Sequence, residues 1–473
     1  MKKVRSLVIF FLVMCMIVTV SGCKKKTSDN SDSTPQSVNS QPPEDDDKIS
    51  SEDMPQSDDT SSEQTVTEDY KPVSTGKWQQ KKFYLSTIWP YGYGANTEEK
   101  RIKSVDLCVE AGLNLLEVQL NPTKAVVEHC DDIGVDILYG ANFRNVGTSN
   151  TIIWNENTVR EEIYNWYDHK SIIGYYCWDE VAKDKLEKAN QLKTIVNKYD
   201  PAKLAFSCLF PSYGVVNWNE GTTGGNWQDS SYYKYVEDYI KIVDPQVLSF
   251  DYYPFILDDS LNINIRDWYR DMGLYRKLSL QYNKPFWYYI GTVDSKEKDN
   301  VTDSQVRCQL NISLAYGAKM ISYFTTTDYL YDEDTFEKSE RFDKATELNR
   351  QAMAMGNFLF DKTGTAIYHY GLKNQGYYDE IYFLDDVANS NLIEEVVASD
   401  GMIISMFKDS AGNDYMMVVT KNLKSKSAIE IKFNSQKSVS LLDNSTGELG
   451  VAYTTDLIEH KFIPGDAAIF AIK

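Results

Sequence analysis

Two adjacent carboxylates stand at the end of one segment that has the sequence pattern of a buried β-strand. A third carboxylate stands near the end of another such segment. The run 175–180 reads Tyr-Tyr-Cys-Trp-Asp-Glu, and the run 249–253 reads Ser-Phe-Asp-Tyr-Tyr. Breaking an acetal requires a carboxylic acid that protonates the leaving oxygen and a second group that stabilises an oxocarbenium-like centre. Flat aromatic faces hold the C–H side of a sugar ring. Asp179, Glu180 and Asp251 are therefore the candidate catalytic residues for acetal chemistry on a carbohydrate.

Glu180 is the candidate general acid. Burial near Trp178 and the neighbouring charge of Asp179 favour the protonated form that such an acid needs. A structural alternative remains open, in which Asp179 caps the next helix and Glu180 lies in its first turn. Asp251 likewise is either a catalytic carboxylate or a residue that holds a loop above the strands.

Strand-then-helix units position these residues. Short β-branched or aromatic runs such as 83–89 and 172–178 alternate with longer amphipathic segments, and eight such units occupy residues 83–359. This rhythm predicts a (β/α)8 barrel, whose active site lies at the C-terminal ends of the strands. A doubly wound sheet is the alternative, but no Gly-rich phosphate loop follows the first strand. The aromatic residues near the strand ends are the candidate substrate-binding residues, namely Trp89, Tyr91, Trp178, Tyr252, Tyr253, Trp287 and Tyr289.

The flanking segments define the other parts of the chain. Residues 24–76 are rich in Ser, Asp, Glu and Pro, which predicts a disordered acidic tether. Residues 77–362 carry the barrel pattern. From 363 to 473 the helical period gives way to short strands with turn residues, which predicts a C-terminal antiparallel β-sandwich.

The first 23 residues predict export. A basic start is followed by an apolar run at 6–20, too short to span a membrane comfortably, and by Ser21, Gly22 and Cys23. This segment resembles a bacterial lipoprotein signal. The resemblance implies cleavage before Cys23, lipidation of that cysteine, and anchoring of the exported protein to the outer face of the cell membrane.

Composition excludes several functions. A net charge of −20 does not provide the basic surface that binding to a nucleic-acid backbone requires. The four histidines do not stand at metal-ligand spacing, and we expect neither a metal nor an organic cofactor. The partners we expect are a carbohydrate and, through the lipid, a membrane. The sequence leaves the oligomeric state open.

Four motifs stand on the fourth, sixth, seventh and eighth predicted strands, namely the runs 174–180, 250–254, 284–287 and 314–318 leading to 321–324. Together they resemble those of (β/α)8 glycoside hydrolases, especially the β-galactosidase-like branch of the large retaining clan. In that clan a glutamate ending the fourth strand is the acid/base and follows an asparagine, and a glutamate ending the seventh strand is the nucleophile. Glu180 matches the first, but Asp179 replaces the asparagine. The seventh strand offers no carboxylate through Thr292, and Asp294 is the nearest one beyond it.

Two other mechanisms remain open for the second group. Asp179, Glu180 and either Tyr252 or Tyr253 also resemble the substrate-assisted hexosaminidases, in which the acetamido group of the substrate is the nucleophile. Alternatively, Asp251 is the second carboxylate. The fourth and sixth strands are two apart, so their ends lie near 10 Å and fit the longer, inverting separation.

Two functions therefore compete. The first is a cell-surface glycoside hydrolase that acts on an extracellular oligo- or polysaccharide. The second is a non-catalytic carbohydrate-binding lipoprotein on a decayed hydrolase barrel, which the missing carboxylate on the seventh strand favours.

Overall fold

The computed structural model describes residues 71–92, 94–119, 122–140, 145–146, 154–215, 231–255, 265–292, 301–370 and 384–473. The predicted signal segment with Cys23, most of the predicted tether and Asp294 lie outside these residues. Parallel strands that alternate with helices form a barrel, and antiparallel strands form a second domain. The predicted fold class, a (β/α)8 barrel followed by an antiparallel β-sandwich, is confirmed.

Eight strands of the described chain run parallel around the barrel, and a ninth, very short strand accompanies them. Their bounds are β1 (Tyr84–Ile88), β2 (Leu115–Val118), β3 (Asp136–Tyr139), β4 (Asn145–Val146), β5 (Ile172–Asp179), β6 (Leu204–Ser207), β7 (Leu248–Asp251), β8 (Phe286–Gly291) and β9 (Met320–Phe324). The short β4 pairs with the end of β5, so β5 is the fourth barrel strand. β1 pairs with β9, and a parallel bridge between Leu209 and Phe250 joins the end of β6 to β7. The ring of strands is therefore closed.

Helices surround the barrel, and several of those described begin at side-chain caps. Their bounds are α1 (Glu98–Glu110), α2 (Lys124–Ile133), α3 (Glu156–Trp166), α4 (Leu186–Tyr199), α5 (Ser212–Val215), α6 (Ser231–Val243), α7 (Ile265–Tyr282), α8 (Asp303–Ala315) and α9 (Phe342–Leu359). The Thr97 hydroxyl accepts a hydrogen bond from the backbone of the first turn of α1. Capping boxes start α3, with Asn155 and Thr158, and α8, with Thr302 and Gln305. These caps satisfy N–H groups that have no partner within the helix.

The barrel interior changes from apolar to polar along its axis. Trp287 and Tyr289 of β8 both point inward because alternate residues of a strand share one face. Trp287 packs edge-on against Tyr84 with ring centroids 6.1 Å apart, and its Nε1 donates to Gln80 Oε1 at 2.9 Å. Aromatic side chains therefore fill the N-terminal end of the barrel, and the polar side chains described below lie nearer the other end.

The C-terminal domain is an antiparallel sheet of seven strands in the described chain. They are β10 (Thr363–Tyr370), β11 (Ile393–Ala398), β12 (Met402–Lys408), β13 (Asp414–Thr420), β14 (Ser427–Leu441), β15 (Tyr453–Phe462) and β16 (Ala467–Ile472). They pair in the order β10-β12-β13-β16-β14-β11, and β15 pairs with β14. The first part of β14 pairs with β11 and β15, and its last residues pair with β16. The long β14 thus connects the two halves of the domain.

Both faces of the central strands of this domain are buried. Ile404 and Val418 belong to the core within the domain, whereas Ile403 and Val419 belong to the core shared with the barrel. Because neighbouring strand residues point to opposite faces, the strands read as nearly continuous apolar runs. The domain is therefore packed against the barrel over a continuous hydrophobic interface.

Hydrogen bonds from α8 fix the loop before β16 against the barrel. Arg307 Nη1 donates to the Pro464 carbonyl at 2.7 Å, and Asn311 Nδ2 donates to the Gly465 carbonyl at 2.9 Å. Gly465 has a φ of 72°, and a Cβ there would lie 2.3 Å from the Ser304 carbonyl oxygen. The close approach of this loop to α8 therefore requires glycine.

The five cysteines among the described residues, Cys108, Cys130, Cys177, Cys208 and Cys308, are buried free thiols. No helix in the described ranges has the length and apolar character needed to cross a membrane.

Candidate active site

Three carboxylates predicted from the sequence lie at the C-terminal end of the barrel. Asp179 is the last residue of β5, Glu180 follows it, and Asp251 is the last residue of β7. Asp179 and Glu180 are half-buried, and Asp251 is buried. The negative charge of Asp179 acts on the pKa of Asp251, so these two carboxylates lie within electrostatic range of each other. The structure therefore brings the predicted acidic residues to one end of the barrel.

The local backbone excludes the helix-capping role for Asp179. The next α-helix, α4, begins only at Leu186, and Lys185 occupies its N-cap position. Asp179 instead accepts a hydrogen bond from the Tyr176 hydroxyl at 2.9 Å through Oδ1. The alternative in which Asp179 caps the helix and Glu180 lies in its first turn is therefore wrong.

Glu180 has a left-handed backbone, with a φ of 53°, and Trp89 after β1 has the same value. A non-glycine residue in this region is uncommon and costs free energy, so the surrounding structure must hold it there. Such residues concentrate at functional sites. The Glu180 charge contributes to raising the pKa values of Tyr213 and Tyr253, although burial is the main cause for both. Glu180 therefore lies near the tyrosines between the ends of β5 and β7.

Asp251 is a buried carboxylate. Burial, followed by the charge of Asp179, raises its pKa well above the usual range, and a hydrogen bond from Tyr253 opposes this shift. Its Oδ1 accepts no hydrogen bond from any residue that the structure describes. A carboxylate in this state can exchange a proton near neutral pH.

Glu117 is a further acidic residue that sequence analysis missed. It belongs to β2, is fully buried, and accepts hydrogen bonds from Ser322 Oγ at 2.6 Å and Ser86 Oγ at 3.0 Å. The Tyr289 hydroxyl donates to its other oxygen. Burial raises the pKa of Glu117 to about 7, the three hydrogen bonds oppose the rise, and the charge of Asp179 adds to it. The only sequence signal is a charged residue inside the apolar run Leu-Leu-Glu-Val.

Replacing Glu117 by Gln should make the free energy of unfolding less dependent on pH. Because the native carboxyl has a pKa near 7 instead of 4.5, the fold retains a proton that the unfolded chain releases between these values. The wild type therefore loses stability as the pH rises through that interval, by about 3 kcal/mol from this group. Urea unfolding at pH 5 and pH 8 should show that Glu117→Gln lacks this loss. Glu128→Gln on the exposed face of α2 is the control, and an unchanged pH dependence in Glu117→Gln would contradict the assignment.

Two predicted substrate-binding aromatics, Trp89 and Tyr253, lie at the mouth of the barrel. Both are half-buried, and both pack on Phe324 at the end of β9, with ring centroids 5.6 Å and 5.0 Å away respectively. Trp89 Nε1 donates to Gln119 Oε1 at 3.4 Å. A Cβ at Gly291 would lie 3.1 Å from the Tyr253 side chain, so the glycine at the end of β8 admits this ring. These rings form an aromatic wall beside the carboxylates.

The other predicted aromatics do not face this mouth. Trp287 fills the N-terminal end of the barrel, and Tyr289 lies inside it as the partner of Glu117. Tyr91 is buried beside α1, with the Arg101 guanidinium 5.9 Å from its ring. Trp178 and Tyr252 are fully buried in the core outside the barrel. Alternation explains these positions, because neighbours along a strand point to opposite faces.

The described residues contain no group of three or more His, Cys, Asp and Glu side chains arranged to hold a metal ion.

Comparisons with known proteins identify the fold. No protein-family model matches the chain, and no curated protein sequence matches it. A crystal structure of a candidate α-galactosidase from Bacteroides fragilis is similar to it with a TM-score of 0.50 and 9% identity, over 83% of this chain and 79% of that one. A β-L-arabinopyranosidase from Geobacillus stearothermophilus has a TM-score of 0.46 and 7% identity, over 83% and 96% of the two chains. The first similarity, together with the strand topology, shows that this chain has the (β/α)8 barrel fold.

Proposed function

We propose that the protein is a glycoside hydrolase that cleaves O-glycosidic bonds of an extracellular oligo- or polysaccharide. The observation that supports this most is the position of Asp179, Glu180 and Asp251 at the C-terminal end of a closed barrel, beside the aromatic wall of Trp89 and Tyr253. This end of the barrel is where enzymes with this fold build their active sites. Acids next to flat apolar faces suit a sugar ring and its glycosidic oxygen.

In this proposal Glu180 is the general acid. The left-handed backbone directly after β5 fixes the start of its side chain at the rim, and the carboxyl protonates the leaving oxygen as the glycosidic bond breaks. Asp179, held by Tyr176, lies next to it in sequence. Asp179, Glu180 and Asp251 place carboxyl groups at the described part of this end of the barrel, and those that are ionised favour neutral or cationic sugars over acidic ones.

Asp251 is the second carboxylate in the mechanism that we favour. Its strand is two positions from β5 around the barrel, which corresponds to about 10 Å and suits an attacking water between the two groups. A raised pKa near working pH suits a general base. In the substrate-assisted alternative, Asp179 orients the acetamido group of the substrate, and Tyr253 is its tyrosine partner because Tyr252 is buried outside the barrel.

Export and anchoring belong to the same proposal. The basic and apolar start of the chain and Cys23 support a lipid-anchored protein on the outer face of the cell membrane. A tether of about fifty residues would then hold the barrel on the order of 40 Å from the anchor. Incorporation of labelled fatty acid into the wild type, and its loss in Cys23→Ala, is the expected result.

The second candidate is a carbohydrate-binding protein without turnover. The observation that favours it is the end of β8, where Gly291 and Thr292 stand in place of a carboxylate. Incubating the full-length protein with insoluble and soluble polysaccharides, and measuring both retention and new reducing ends over time, separates the two functions. We expect reducing ends to accumulate, whereas retention on a polysaccharide without any release would support the binding function.

Trp89 and Trp287 should respond differently to substitution. Because Trp89 lies at the mouth of the barrel, Trp89→Ala should raise the KM by about tenfold or more for whichever polysaccharide the wild type cleaves. Trp287→Phe should lower the melting temperature and leave the KM unchanged, since this ring fills the opposite end of the barrel. Steady-state kinetics and thermal unfolding of both variants check this. Equal effects on KM would contradict the placement of the site.

A further inference from the structure

A cavity opens at the N-terminal end of the barrel, at the other end from Glu180. Its volume is about 490 Å³, within the usual range for small-molecule sites. Its walls come from the segments that precede β1, β7, β8 and β9, including Gln80, Gln246, Pro285 and Lys319, and from Gly364 at the start of β10. The cavity is therefore separate from the candidate active site.

The walls of this cavity are basic. Arg276, Lys284, Lys319 and Lys362 line it, and no aspartate or glutamate is among its lining residues. The whole chain carries a net charge of −20, so this concentration of positive charge contrasts with the rest of the molecule. Four cations around one small volume favour an anionic ligand.

The three lysines are already engaged within the fold. Lys284 Nζ donates to Asp244 Oδ1 at 2.8 Å. Lys319 Nζ donates to the carbonyls of Leu359 and Lys362 at 2.8 and 2.9 Å. Lys362 Nζ donates to Phe358 O at 2.5 Å and Asp361 Oδ1 at 2.8 Å. Lys319 and Lys362 thus satisfy carbonyls at and beyond the end of α9, which is a structural role.

Arg276 has no comparable partners among the described residues. It is only 8% exposed, yet none of the hydrogen bonds or ion pairs found among those residues involves its guanidinium. Burial lowers its pKa, and the charge of Asp385, whose carboxylate accepts from the Ile367 backbone N–H, is the largest contribution that opposes this shift. A guanidinium carries five donors in a planar fork that matches an oxyanion. As far as the described residues go, these donors are available to a ligand in the cavity.

We propose that this cavity binds a sugar acid, with the carboxylate of a hexuronate on the Arg276 fork. Trp78, half-buried on the wall, supplies a ring face, and the side chains of Gln79 and Asn283 supply amides for hydroxyl groups. The ligand class is therefore acidic, opposite to the neutral or cationic sugars favoured at the mouth. The inference goes beyond the proposed hydrolysis and does not depend on it.

Calorimetric titration of the full-length protein with D-galacturonate, D-galactose and inorganic phosphate tests this site. We expect galacturonate to bind at least about tenfold more tightly than galactose, and the difference to shrink at high salt. Galacturonate bound no better than galactose would overturn the proposal. If phosphate bound as tightly as galacturonate, the cavity would be an anion site, and the proposal that it recognises a sugar would be overturned.

Two variants locate the binding. Arg276→Gln should weaken galacturonate binding at least about tenfold. Gly364→Asp should also weaken galacturonate binding, because its carboxylate would occupy the Arg276 guanidinium in place of the ligand. A Cβ at position 364 would lie 3.6 Å from Arg276 Nε, which is an ordinary contact distance. Arg350→Gln on α9, where Arg350 pairs with Glu347, is the matched control. If Arg276→Gln fails to fold, Gly364→Asp decides, and unchanged binding in the folded variants would overturn the proposal.

Discussion

Glu180→Gln should reduce kcat by about a thousandfold and leave substrate affinity nearly unchanged. The substitution keeps the size and the hydrogen-bonding shape of the side chain but removes the proton that the leaving oxygen must receive. The loss should be largest for poor leaving groups, which need protonation most, and smaller for nitrophenolates. Rates for alkyl and nitrophenyl glycosides measured in parallel check this.

A nearby glutamate provides the control for this prediction. Glu187 lies in the first turn of α4, is exposed, and is seven residues beyond Glu180. Glu187→Gln should retain wild-type turnover. If Glu180→Gln also retained it for both leaving groups, Glu180 could not be the acid. The acidic group would then have to be sought among the other carboxylates of the barrel.

Asp251→Asn should lower kcat by about a hundredfold or more if Asp251 is the second carboxylate. The amide cannot accept the proton of an attacking water, and it cannot stabilise a positive centre by charge. The variant should remain folded, because neutralising a buried carboxylate with a raised pKa costs little at neutral pH. Kinetics on the same substrates, together with thermal unfolding, check both statements.

Added azide and the stereochemistry of the product distinguish the two mechanisms. With Asp251 as a general base, azide should restore turnover in Asp251→Asn by attacking the sugar directly, and the wild type should invert the anomeric configuration. In the substrate-assisted mechanism, Asp179→Asn should be the damaging variant, and only N-acetylated sugars should be cleaved. Full activity of Asp251→Asn on plain glycosides would contradict its catalytic role.

The strand pattern predicted the fold because the relevant signals are local. The predicted runs 83–89 and 172–178 correspond to β1 (Tyr84–Ile88) and β5 (Ile172–Asp179), with differences of one residue at the ends. Apolar runs and helix caps depend only on residues that are close together in the sequence, so they can be recognised without knowing the tertiary structure. The same holds for the acids, because residues at the ends of parallel strands meet at one end of a barrel.

The direction of the aromatic side chains could not be predicted in the same way. Tyr252 and Tyr253 are adjacent, yet one is buried outside the barrel and the other lies at its mouth. A shift of one residue in a strand exchanges its two faces, and the sequence does not fix which face points inward. Trp287 shows a second difficulty. It points into the barrel, but it stands two residues before Tyr289 and therefore lies near the N-terminal end of the barrel, far from the mouth where a substrate would bind.

Glu117 was missed because its role arises only from contacts between distant strands. Its partners come from β1, β8 and β9, at positions separated from it by 31 to 205 residues. Within the sequence it is a single glutamate in a short apolar run, and no other acidic residue stands beside it to indicate a site. Only the closed barrel places Ser86, Tyr289 and Ser322 around it.

The most direct test of the account is hydrolysis of a panel of aryl glycosides, including N-acetylhexosaminides, by the wild type and by Glu180→Gln in parallel. The account predicts that the wild type cleaves the glycosides of one sugar class and that Glu180→Gln binds the same sugar but releases about a thousandfold less aglycone. Equal release by the two proteins would contradict the assignment of the acid. Binding without release by the wild type, on the panel and on natural polysaccharides alike, would contradict the enzymatic function itself.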